Sequence, residues 1–161
     1  MVIEFNYVSW GGTGADGITL FLYDSSTVSP MANAAYGGGL GYCGGAGGYL
    51  AIGLDEHGNF SNPGDRCTSA SGGPGFKPES FVIRGPVSTT NAWVTTTAVP
   101  GGIDNPHVAT RPPPKTVLLT ITPAVAPAIG YTMTAQFQSA AASPSRRCSR
   151  MWRFRICRPR I

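Results

Sequence analysis

Charge is what this 161-residue chain has least of: Asp, Glu, Lys and Arg together make up 12%, about half the share usual in soluble domains. Long apolar runs are missing too. No stretch approaches the ~20 residues a helix needs to span a bilayer, which excludes a helical transmembrane protein. Met1 leads straight into VIEFNYVSW, without the basic-then-apolar start of a signal peptide. The four cysteines and two histidines show no CxxC or His/Cys spacing, so a zinc site is not expected. There is no GxSxG elbow and no nucleophile context around His57 or His107, which argues against Ser/His/Asp chemistry. Uninterrupted helical heptads are absent as well, because 22 Gly and 14 Pro are scattered along the chain. Helical bundles are thereby excluded, and turn-rich all-β structure remains.

The net charge of +4 resembles a nucleic-acid signature until it is located. Residues 1–145 hold five basic and eight acidic side chains, whereas residues 146–161 hold seven arginines and no acid. The body is mildly acidic, and nucleic acid and membrane are not expected as its partners. The tail SRRCSRMWRFRICRPRI is read as lacking strand alternation and any helical face free of Arg. Residues 141–161 are therefore expected to lie outside the fold, rather than to form an arginine-rich arm that orders on RNA or anionic lipid.

Seven segments read as strands by alternation and by β-branched or aromatic enrichment: 2–10, 18–24, 49–55, 80–85, 91–99, 115–123 and 131–138. Between them lie breakers such as GGTGADG, YGGGLGYCGGAGG and SGGPGFKP, with no helical segment. That spacing predicts an antiparallel β-sandwich over residues 1–140, with 115–123 and 131–138 forming a hairpin across AVAPAIG. Large sandwiches often run to about 200–250 residues, so this domain is expected to be partial, with open sheet edges prone to self-association.

Few motifs carry chemistry. Gly12 to Gly17 spells GxGxxG, but a strand follows instead of the helix that a dinucleotide site requires. The loop LDEHGNFSNPGDR places the oxygen donors Asp55, Asn59 and Asp65 close in sequence, with the His57 carbonyl between the first two. Such a set suits Ca2+; it equally suits an Asx-rich turn held by its own side chains. Asp55 and Glu56, as strand neighbours, point to opposite faces and cannot flank a glycosidic bond as a retaining pair does. Trp10, Trp93, Tyr36 and Tyr49 are read as core aromatics, and His107 as a solvated loop residue. Cys43 and Cys67 fit either a loop disulfide in an exported protein or two free thiols.

The succession ADG-ITLFLYD, YGGGLGY, LAIGLDEHGN and FVIRGP resembles the legume-type (L-type) lectins of the concanavalin A-like superfamily, most nearly their bacterial surface-protein variants, over residues 2–138. The resemblance implies a jelly-roll sandwich, incomplete at both ends, that binds glycans without catalysis. It implies a sugar triad of Asp16, which follows a cis peptide, Gly38 and Asn59. It also implies calcium held by Asp55, the His57 carbonyl and Asn59, with Asp65 as second carboxylate. Gly53 and Ser80 stand where the family has an acidic residue and a histidine, so a paired Mn2+ site is not expected. His57 stands where the family often has a stacking aromatic. The ExDxxE strand of the superfamily's glucanases is lacking, which favours binding over hydrolysis. The expected protein is a secreted or cell-surface module of a larger bacterial protein; the alternative is a structural adhesin module that keeps the fold without binding sugar.

Overall fold

The computed structural model describes residues 1–26, 34–62, 72–125 and 130–139, and the backbone of 152–156. The chain is all-β. Its strands are β1 (Val2–Tyr7), β2 (Gly17–Tyr23), β3 (Gly48–Asp55), β4 (Ser80–Arg84), β5 (Trp93–Ala98), β6 (Lys115–Pro123), β7 (Tyr131–Ser139) and β8 (Trp152–Ile156). They form two four-stranded sheets, ordered β1-β6-β7-β8 and β2-β3-β4-β5, and every neighbouring pair is antiparallel. The sheets belong to separate compact units, Met1–Ser9 with Thr110–Ile161 and Trp10–Ala109.

In the first unit, alternation along each strand sends apolar residues to one face. The register aligns Ile3 with Leu119 and Phe5 with Val117, then Val117 with Phe137, Leu119 with Ala135 and Ile121 with Met133. Val117, Leu119, Ile121, Met133, Ala135 and Phe137 are all buried. The opposite face carries Asn6, Thr116, Thr120 and Thr134, and the Thr116 hydroxyl donates to Asn6 Oδ1 at 3.1 Å. The expected hairpin is the β6–β7 pair, closed where the Ala124 N–H donates to the Gly130 carbonyl.

The tail corrects one expectation. Within residues 141–161, Trp152–Ile156 pairs with β7, placing Trp152 opposite Ala135 and Phe154 opposite Met133. The alternation was there to be seen: WRFRI places apolar residues at every second position between arginines. Arginine density hid it. In that register the apolar residues align with the apolar positions of β7 and the arginines with Thr132 and Thr134.

In the second unit, Ile52, Leu54, Phe81 and Ile83 fill one buried face. The other face consists of Phe21, Ala51 and Arg84, then Thr19, Gly53 and Val82, then Gly17, Asp55 and Ser80. A second cluster covers it: Tyr42, Cys43 and Phe60 pack on Ala51 and Val82, with Phe21, Leu40 and Trp93 at the margin. Gly53 makes this packing possible, because a Cβ there would lie 2.5 Å from the Phe60 ring. The aromatics expected in the core divide differently. Trp93 packs at the cluster margin, whereas Trp10, Tyr36 and Tyr49 are exposed, since each stands on a loop or at an outward-facing position.

Candidate functional site

The loop after β3 is organised by the carboxylate of Asp55. Its Oδ1 accepts the Gly58 N–H at 2.8 Å and its Oδ2 the Ser61 N–H at 3.2 Å. Fully buried, Asp55 has its pKa pushed up to about 6, against the opposing pull of the Gly58, Ser61 and Phe60 amides. The Ser61 hydroxyl reaches the carbonyls of Gly58 at 3.0 Å and Gly75 at 2.8 Å. Arg84, also fully buried, donates from Nε to the Phe60 carbonyl at 2.8 Å and from Nη1 to the Asn91 carbonyl at 3.0 Å. Its guanidinium lies 5.5 Å from the Phe60 ring centre. Burial lowers the Arg84 pKa to about 10, while the Asp55 charge pulls it upward. The loop is thus clamped from both sides.

The chain entering β2 meets this loop. The Ala15–Asp16 peptide is cis, as the L-type resemblance implies, and the Asp16 carbonyl accepts the N–H groups of Glu56 at 3.1 Å and His57 at 3.4 Å. Asn59 then donates from Nδ2 to Asp16 Oδ1 at 2.8 Å. Asn59 is 5% exposed, and its Oδ1 has no hydrogen-bond partner among the described residues. Two of the three predicted sugar-binding residues, 43 positions apart, are therefore bonded to each other.

Gly38 is buried in the short 3-10 turn Gly37–Gly39. That turn leads into the loop whose Tyr42 N–H donates to the Gly39 carbonyl, and Tyr42 packs over the sheet. The Asp16–Asn59 bond does not involve Gly38. His57 has an exposed side chain. Asp65 lies outside the described residues, and among those described no cluster of three or more His, Cys, Asp or Glu side chains gathers around one point. Cys43 is disulfide-bonded; the other three cysteines lie outside the described residues.

Residues not singled out in the sequence complete the surroundings. Glu79 accepts the N–H groups of Ile103 and, at 3.1 Å, Asp104, fixing the loop after β5. That loop reaches the glycine turn before the cis peptide, where the His107 N–H donates to the Gly12 carbonyl. Phe76 packs its ring edge-to-face with His57, centroids 5.8 Å apart. Nothing in the local pattern of SGGPGFKPES marks Phe76 as a neighbour of His57. No helix among the described residues is long and apolar enough to cross a membrane. A scan against protein-family models, a search of curated proteins and a search of solved structures each returned no match.

Proposed function

We propose that this chain is a non-catalytic carbohydrate-binding module of the L-type lectin kind, with a concanavalin A-like jelly-roll fold. The observation that carries this reading is the Asn59–Asp16 hydrogen bond. It orients an amide and a carboxylate side by side at a loop end, and Asp16 Oδ2 accepts no hydrogen bond among the described residues. A carboxylate fixed in that way can accept from two vicinal hydroxyls with little ordering cost. Gly38, the third residue of the proposed triad, has no side chain to hold a ring away.

The donor set fits calcium. Asn59 Oδ1 is a buried hard oxygen without a partner among the described residues, and the Asp55 oxygens keep lone pairs beyond those the amides use. Asp55, the His57 carbonyl and Asn59 would hold the ion, with Asp65 supplying a second carboxylate. Bound there, Ca2+ supplies positive charge to a buried carboxylate and fixes Asn59. A Mn2+ partner site is not proposed, because a ligand side chain at position 53 would collide with Phe60. The disulfide at Cys43 supports a secreted or cell-surface setting, within a larger bacterial surface protein.

A glycan array probed with the full chain tests the reading, in calcium and in EGTA, for wild type and Asp16→Ala. Wild type should bind in calcium and weaken in EGTA. Asp16→Ala should lose at least about tenfold in affinity, as expected for two charge-assisted hydrogen bonds. Equal binding by both variants removes Asp16 from the site. Failure of wild type to bind any glycan favours the structural adhesin module instead.

A further inference from the structure

Phe76 is 54% exposed yet held on both sides by its backbone. The preceding carbonyl, Gly75, accepts from the Ser61 hydroxyl at 2.8 Å. The following residue, Lys77, donates its N–H to the Gly58 carbonyl at 3.0 Å, and Glu79 donates to the Glu56 carbonyl at 3.1 Å. Residues 75–79 therefore run beside the loop that carries Asn59, attached at three points. Gly58 permits the approach: its φ is +95°, and a Cβ there would lie 2.4 Å from the Pro78 nitrogen.

The ring itself is oriented. His57 meets it edge-to-face at 88°, centroids 5.8 Å apart. The same His57 donates its N–H to the Asp16 carbonyl at 3.4 Å. His57 thus touches both neighbours, its ring against the exposed Phe76 ring and its backbone N–H on the carbonyl of Asp16, the residue whose carboxylate accepts from Asn59. An apolar ring beside convergent hydrogen-bonding groups is the chemistry that a pyranose requires, since its hydroxyls and its C–H face lie on different sides.

We infer that Phe76, braced by His57, is the stacking platform of the candidate site and that it selects pyranosides with an unbroken C–H face, as galacto-configured sugars have. This inference rests on the carbohydrate-binding reading given above. Phe76 comes from a different loop than the position His57 occupies, so its role is not carried over from the L-type pattern. It follows from how residues 75–79 dock on Gly58.

The test uses the full chain in calcium, titrated with methyl β-galactopyranoside and methyl α-mannopyranoside and followed by proton NMR. Wild type should prefer the galactoside, with its C–H resonances shifted upfield by the ring current. Phe76→Ala should bind the galactoside about tenfold more weakly, the scale of burying one aromatic face, and should abolish the upfield shift. Phe76→Trp should preserve both. If Phe76→Ala stays within about twofold of wild type, or wild type favours the mannoside, the platform is overturned while an Asp16→Ala loss leaves the carbohydrate site standing. If wild type binds neither sugar, the platform and its selectivity fall while the array decides the carbohydrate reading; if Asp16→Ala binds as wild type does, both readings fall together.

Discussion

At the residue scale, the second unit depends on polar groups that are withdrawn from water and bonded to backbone carbonyls. Arg84 sits in an apolar strand, FVIRG, and the sequence offers no reason for an arginine to be fully buried there. Its reason is tertiary: Phe60 and Asn91 arrive from two other segments to present carbonyls. Tyr42 shows the same logic. Its hydroxyl donates to the Gly85 carbonyl at 2.8 Å, and burial pushes its pKa above the ordinary tyrosine value of 10.0. A raised pKa means the folded state keeps a proton that the unfolded chain releases. The stabilisation is complete below pH 10 and is lost as pH climbs beyond it. Tyr42→Phe should cost about 1 kcal/mol at neutral pH, the net worth of one hydrogen bond. Its melting temperature should also fall less steeply than that of wild type above pH 10. Parallel alkaline profiles for the two proteins would contradict this assignment.

At the element scale, the seven strands read from the sequence are present, with ends shifted by up to three residues. Period-two alternation made the β6–β7 hairpin legible, and Gly-rich breakers separated β2 from β3. The eighth strand is hard to read in the sequence, because arginines at alternate positions mask the apolar period of WRFRI. Its position carries a consequence. β8 covers the backbone edge of β7, and an uncovered strand of nine residues is a template for pairing with another chain. Truncation after residue 140 should raise the self-association of the remaining chain, seen as earlier elution in size-exclusion chromatography. A monomeric, unchanged profile would show that β8 does not protect that edge.

At the scale of the whole molecule, net charge is a poor guide and loop convergence a better one. The +4 sums an acidic body and an arginine-rich end, and part of that end is a strand of the first unit. That Asp55 turns its own loop was legible from spacing as an Asx-rich turn, and its carboxylate does accept the Gly58 and Ser61 amides. The partnership of Asp16 with Asn59 was not, because no local pattern joins residues from different loops; only the L-type resemblance did. Phe76 escaped both routes, since its place depends on a backbone docking that neither periodicity nor motif encodes. The central claim is that the Asp16–Asn59 pair receives a sugar. The most direct measurement is to follow the Asn59 side-chain amide by NMR while titrating calcium-loaded full chain with a glycan it binds. The predicted result is that the Asn59 Nδ2 resonances and the backbone amides of Asp16 and His57 shift most, saturating together. Saturable shifts confined to other parts of the chain, with the Asn59 amide unmoved, would contradict the claim.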